Sequence, residues 1–351
     1  MTDERALVGC LAGTAVGDAL GLPSEGLSAR RARRLFPDMD RYHFLFGHGM
    51  FSDDTEHACM TAQALLASGG DPERFTRSLG WRLRWWLLGL PLGTGKATLQ
   101  ASLKLWLGFS AARSGVWSAG NGPCMRAAIL GVALGDRPGL MREFVRRSTR
   151  MSHTDPKAEW AALVVARATH LSAIGENRPS QVVEHFAAEL GEAAGEMIAL
   201  IRRAAASVDA GQPTEAFAAD LGLRGGVSGY VMHTIPVVLH AWLRFPGDYA
   251  SAVRTVIRCG GDTDTTAALV GGIVGARVGM EGIPEAWRNG LAEWPRNLRW
   301  MARLGHELAA GLAAGAPRRT VPLNPIGLLA RNLLFAGVVF VHVLRRLLPP
   351  Y

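Results

Sequence analysis

Three observations predict an all-α protein. Apolar residues recur at helical spacing along most of the chain, alternating β-type stretches are nearly absent, and Gly/Pro punctuation falls between the helical segments. The expected organisation is one all-α domain over residues 1–310 and an apolar tail over residues 322–351. At 351 residues, 48% hydrophobic and 19% charged, the chain can bury a sizeable core, and its composition excludes disorder.

The first element is a run of small residues from Ala6 to Gly13, read as a helix packed closely inside the protein. It superficially resembles a signal-peptide core, but Asp3 and Glu4 precede it where positive charge is expected. Residues 55–67, 159–173, 179–206 and 265–278 read as helices rich in Ala and Leu. The apolar run 227–239 is the one stretch that could pass for a strand, and it is as easily helical. Trp81, Trp85 and Trp86 share one helix, and spacing of four puts Trp81 and Trp85 near one face, where core packing is the expectation. Loops are expected at 89–93, 120–123 and 225–226.

The tail is apolar for too long to be a solvated end, yet Arg331 and Asn332 interrupt it. Packing against the domain or a partner is the first reading. A helix lying on a membrane, with Arg345 and Arg346 at the headgroups, is the second, and a tail anchor the third. No stretch of 18 uncharged apolar residues exists, so no orthodox membrane span is expected.

The net charge of +8 comes almost wholly from arginine, since only Lys96, Lys104 and Lys157 are lysines. The arginines are scattered, which reads as a solvated helical surface, and no nucleic-acid partner is expected. Four separated cysteines without a CxxC pair suggest buried free thiols and a cytoplasmic protein, with membrane association through residues 326–348 as the alternative. Gly93-Thr94-Gly95-Lys96-Ala97 is not a phosphate loop, because it lacks the first glycine and has Ala97 where a hydroxyl must stand.

Chemistry concentrates at two predicted helix starts. In Cys259-Gly260-Gly261-Asp262-Thr263-Asp264-Thr265, two carboxylates and a hydroxyl can converge on a hard cation if the glycines turn the backbone sharply. In Phe51-Ser52-Asp53-Asp54-Thr55-Glu56, adjacent aspartates could bridge two ions. Helix capping is the competing explanation for both segments, although capping needs only one such side chain. Together Asp53, Asp54, Asp262 and Asp264 supply four charges, enough to neutralise two divalent cations. A third segment, Gly17-Asp18-Ala19-Leu20-Gly21, leads into a loop that carries Glu25.

GDALG with its loop glutamate, SDDTE and CGGDTDT, in that order, resemble the ADP-ribosylglycohydrolase family. Further likeness lies in Gly120-Asn121-Gly122-Pro123-Cys124-Met125-Arg126, in Ser152-His153-Thr154-Asp155-Pro156 and in Gly229-Tyr230-Val231, so the resemblance covers roughly residues 5–300. It implies a single orthogonal multi-helix domain with a binuclear metal cleft. Two magnesium ions, with manganese as substitute, would be held by Ser52, Asp53, Asp54, Asp262, Asp264 and Thr265. It also implies ADP-ribose contacts at Gly120, Asn121, Gly122, His153 and Tyr230, and a catalytic Glu25.

The implied activity is hydrolysis of the glycosidic bond between ADP-ribose and a modified protein residue or small acceptor. A catalytically inactive, crystallin-like member of the fold and a phosphohydrolase acting on ADP-ribose derivatives are the alternatives. The linkage, whether to arginine, serine, a base or a metabolite, stays open.

Overall fold

The computed structural model describes residues 3–348. Its described residues form seventeen α-helices, and the only regular sheet is a pair of two-residue strands. The all-α expectation holds.

The centre is an antiparallel pair of helices, Glu4–Gly21 and Thr263–Val278. Glycine every fourth residue on the first helix lets the two backbones touch. A β-carbon at Gly9 would stand 2.2 Å from Gly275 O, one at Gly13 2.2 Å from Gly271 O, and one at Gly17 2.1 Å from Ala267 O. Helices at (i, i+4) spacing present one face, so this stripe fixes both the spacing and the register of the pair. The sequence reading of a closely packed small-residue helix is borne out.

Around this pair pack Asp53–Ser68, Pro156–Ile174, Ala128–Leu134, Val231–Arg244 and Leu298–Ala314. Three of their starts follow local chemistry: the Ser52 side chain accepts from Asp54 N–H, Asp155 from Lys157 N–H and Asn297 from Trp300 N–H. The ambiguous run 227–239 is helical from Val231 onward, with Pro236 inside the helix. All four cysteines are free and buried.

Two expectations fail. Residues 179–206 do not form one helix, because the chain breaks at Gly191 (φ 72°) between Pro179–Leu190 and Gly195–Asp209. Trp81 and Trp85 are not core. They are 55% and 51% exposed, while Trp86 is buried and donates its indole N–H to Glu56 at 2.6 Å. Shared spacing put Trp81 and Trp85 together correctly, but on the outer face.

The tail forms a single helix, Pro325–Arg346, laid against the domain. Arg331 is buried in an ion pair with Glu293 and also donates to Phe51 O. Asn332 donates to Gly89 O at 2.7 Å, and His342 Nε2 meets Pro23 O at 2.9 Å. By length and hydropathy this helix and Glu4–Ser24 could each cross a membrane, which the stricter rule of an uncharged stretch overlooks.

Candidate active-site cleft

The glycine-tight pairing sets the end of one central helix beside the start of the other, and the site is built there. Asp18, in the last turn of Glu4–Gly21, is fully buried. It accepts from Ser52 N–H (2.9 Å), Thr55 N–H (3.1 Å) and Thr55 Oγ1 (2.6 Å). It thereby caps a helix that belongs to another part of the chain and aims the Asp53–Asp54 pair. On the opposite side Glu293 accepts from Phe51 N–H at 2.9 Å. Glu56, the last residue of the same motif, turns away from the cleft and pairs with Arg296.

Gly260 and Gly261 have φ of 72° and 84°, the left-handed conformation anticipated for the sharp turn before Asp262. They also form one strand of the small sheet, pairing with Leu27 and Ser28. Gly26 N–H donates to Gly261 O at 2.7 Å. This pairing is what brings the Glu25 loop alongside Asp262 and Asp264.

These elements line a cleft of ≈ 590 Å³ that contains Glu25, Asp53, Asp54, Asp262, Asp264 and Thr265. Ser52 sits behind its wall, with its hydroxyl 3.2 Å from Asp54 Oδ2; the Thr265 hydroxyl donates to the same oxygen at 3.1 Å. Asp54 Oδ1 and Asp264 Oδ1 are buried with no hydrogen-bond partner. Orphaned carboxylate oxygens are costly unless a proton or a cation satisfies them. Among the described residues, no three His, Cys, Asp or Glu side chains are gathered on one point as a ready-made metal cluster. The carboxylates line the cleft rather than closing on its centre.

Electrostatics match the crowding. Burial, and then the neighbouring carboxylates, push Asp53, Asp54 and Asp264 well above the usual carboxylate range. Asp18 is raised to about 6 by burial against the opposing effect of its hydrogen bonds. Burial and then Asp262 raise Glu25 to about 7, with the Arg346 guanidinium opposing. Glu25 is therefore poised near neutrality, in contrast to the fully ionised state that bound cations would favour.

The far wall is the Gly120–Gly122 loop. Asn121 N–H donates to Gly229 O at 2.9 Å, and Asn121 Nδ2 donates to Asp262 Oδ2 at 2.6 Å, so the loop is tied to the acidic turn. The Nε2 edge of His153 lies against the loop. A β-carbon at Gly120 would lie 3.2 Å from its Nε2, and one at Gly122 3.0 Å from its Cε1.

Ser152 Oγ accepts from the buried Arg126 guanidinium and stands 2.9 Å from His153 Nδ1. Donating its own hydrogen to Nδ1 leaves the ring proton on Nε2, toward the cleft. Burial, followed by Arg126, holds His153 down to about 3, so the ring is neutral. Tyr230 pairs with Gly120 and accepts from Lys157 at 3.0 Å, and the cleft is lined by its neighbours Ser228 and Gly229 rather than by Tyr230 itself.

Three features escaped the sequence reading. Asp18 is the residue that orients the aspartate pair, although its motif was visible. Arg126 fixes His153 from beneath. The segment rejected as a phosphate loop nevertheless lines the cleft through Gly93, Gly95, Lys96 and Ala97, followed by Thr98, and Lys96 is the only cationic side chain among the lining residues.

Comparison with known proteins agrees with this geometry. A family model described as ADP-ribosylglycohydrolase matches residues 1–318. An uncharacterized protein of Archaeoglobus fulgidus is 30% identical over 83% of this chain and 92% of its own length. The human ADP-ribosylhydrolase ARH3 is 27% identical over 80% of this chain and 87% of its own. The ADP-ribosyl-[dinitrogen reductase] glycohydrolase of Rhodospirillum rubrum is 26% identical over 82% and 90%. A solved structure titled ADP-ribosylglycohydrolase-related protein complex superposes with a TM-score of 0.62 at 25% identity, covering 89% of this chain and all of that one.

Proposed function

This chain belongs to the ADP-ribosylglycohydrolase family, and we propose that it hydrolyses the glycosidic bond between ADP-ribose and a modified protein residue or small acceptor with the help of divalent metal. The observation that carries the metal reading is the pair of buried, unpartnered oxygens, Asp54 Oδ1 and Asp264 Oδ1, on an acidic cleft. The donor set is all oxygen, which suits magnesium or manganese. Ser52, Asp53, Asp54, Asp262, Asp264 and Thr265 would hold the metal. The hydroxyls of Ser52 and Thr265 spend their hydrogens on Asp54; Ser52 Oγ also accepts from Asp54 N–H, which leaves it one lone pair for a metal, while Thr265 Oγ1 offers its lone pairs to the cleft. Two such ions would neutralise the carboxylates and supply Lewis-acid activation of water and of the ribose hydroxyls.

The chain's own residues supply the rest. Cleavage at the anomeric carbon builds positive charge on the ribose, and water must lose a proton as it attacks. Glu25, on the cleft lining and ionised beside bound cations, can take that proton and return it to the leaving group. In the Gly120–Gly122 loop the Gly120 and Asn121 N–H groups already donate to Ser118 Oγ and Gly229 O, so the Gly122 N–H is the backbone donor offered to the pyrophosphate, and Lys96 adds positive charge to the same cleft. The Nε2–H of His153 can donate to a substrate oxygen at that loop.

A panel of ADP-ribosylated arginine, serine, nucleic-acid and small-molecule substrates, with products identified by mass, tests the reading. Release of ADP-ribose that stops on chelation is expected; release of AMP, or no turnover on any substrate, contradicts it. Glu25→Gln should bind ADP-ribose almost as the parent does yet lose about 10²- to 10⁴-fold in turnover. Activity within a few-fold of the parent would remove Glu25 from the chemistry.

A further inference from the structure

The Pro325–Arg346 helix is amphipathic in the wrong sense for water. Its polar residues Arg331, Asn332 and His342 face inward, bonded to Glu293, Gly89 O and Pro23 O. Its outward face is apolar along its whole length. Ile326 is 78% exposed, Val341 65%, Phe340 64% and Leu347 64%, with Leu333 and Leu344 also exposed. At 100° per residue, Ile326, Leu333, Phe340, Leu344 and Leu347 fall within one stripe opposite the buried polar side. Helices on a water-facing surface carry the reverse pattern.

The apolar surface continues sideways. A groove of ≈ 520 Å³ joins Leu328 and Leu329 of this helix to Trp81, Trp85 and Leu88. Contiguous exposed apolar area on this scale marks an interaction surface.

Charge points to the occupant. The helix ends in Arg345 and Arg346, and the Arg346 carbonyl accepts from Arg31. That bond sets the Ala29–Leu35 helix, with Arg30 and Arg33, beside the same end. Of the acidic residues nearby, Asp38 and Asp40 pair with Arg41 and Arg254, and Glu25 faces Arg346. The Arg346 guanidinium itself turns to the domain and donates to Glu25 O at 2.7 Å, so the cations offered to anionic headgroups beside this apolar, tryptophan-flanked strip are those of the Ala29–Leu35 helix. The buried bonds of Arg331, Asn332 and His342 hold the helix along the domain, so it lies in the surface rather than crossing it.

We propose that the outer face of Pro325–Arg346, together with Trp81 and Trp85, seats this protein on an anionic lipid surface. The proposal is independent of the catalytic reading.

Flotation of the full chain with phosphatidylcholine vesicles, with and without phosphatidylglycerol, tests it. Flotation only with the anionic vesicles, lost at high salt, is expected. Leu333→Glu/Leu344→Glu should weaken the partition by about tenfold or more while leaving the circular-dichroism spectrum unchanged. Arg30→Gln/Arg33→Gln should lose the anionic preference with the apolar face intact. Equal flotation with neutral vesicles would overturn the role given to the arginines. Absence of flotation overturns the proposal, and a dimer in sedimentation that Leu333→Glu/Leu344→Glu dissociates would identify a second copy as the occupant instead.

Discussion

The first and last helices of this chain look alike in length and mean hydropathy. Each is long and apolar enough to cross a bilayer, yet 94% of the first is buried and only 17% of the last. The difference lies in the size and placement of side chains rather than in average hydropathy. Glu4–Gly21 carries glycine at every fourth position and meets a second helix backbone to backbone. Pro325–Arg346 carries large apolar residues outward and anchors itself through buried polar ones. The first helix builds the cleft through Asp18. The last touches the cleft only from behind, through Phe51, Pro23 and Glu25, whose carbonyl oxygens accept from Arg331, His342 and Arg346.

The sharpest way to break this comparison is to give the first helix a side chain. In Gly13→Leu the new β-carbon starts 2.2 Å from the Gly271 carbonyl, and no flexible group can yield. Overpacking usually costs about 1–3 kcal/mol, and contact between two backbones lies beyond that range. The expected outcome is no folded protein by circular dichroism and gel filtration. A folded Gly13→Leu would show that the helix pair is looser than described.

Next in size is Arg331→Met, which leaves Glu293 buried without its partner. Breaking a buried pair on one side costs about 3–5 kcal/mol, read as a fall in the urea midpoint. Glu293→Leu/Arg331→Met should recover most of that loss, because replacing both charges with apolar groups is often neutral. If the single variant unfolds like the parent, the tail does not rest on this pair.

The pH dependence of metal-free protein comes third. Glu25 rises from 4.5 to about 7 and Asp18 from 3.8 to about 6 on folding. Folded protein therefore keeps protons that the unfolded chain sheds. Stability is greatest below the unfolded values and is lost as pH rises toward 7. In chelator, the melting temperature should fall between about pH 5 and 7. Arg346→Gln should steepen the fall, because that guanidinium opposes the rise of Glu25. A melting temperature flat across the range would contradict the crowded, buried carboxylates.

The smallest effect is expected at the outer face of the tail. Leu333→Glu/Leu344→Glu should change stability in water by no more than about 0.5 kcal/mol per site, since surface substitutions away from special features rarely do more. A large loss would place those leucines in a core, and the two helices would then differ less than they do.

Much of this was legible in the residues. Helical spacing showed the fold class, and Gly260-Gly261 announced the turn before Asp262 because few other residues adopt that backbone readily. Each aspartate named for the cleft stands in it. What spacing could not show was distance across the chain. Asp18 reads as one more polar residue at a helix end until Ser52 and Thr55 arrive from 34 and 37 positions away. Arg331 and Asn332 read as interruptions of an apolar run, because the pairing with Glu293 that buries one of them lies 38 residues upstream. Trp81 and Trp85 failed for the same reason. Their periodicity identifies a face, and only the neighbours decide whether that face is inside.

The central claim is that two helix starts, aimed by Asp18 and by the glycine turn, present their aspartates to divalent metal. Titration calorimetry with manganese on metal-free protein, parent against Asp264→Ala, tests it most directly. The account predicts saturable binding by the parent, with two ions taken up per chain, and its near-complete loss in Asp264→Ala while the circular-dichroism spectrum is retained. Equal binding by both proteins, or none by the parent, would contradict it.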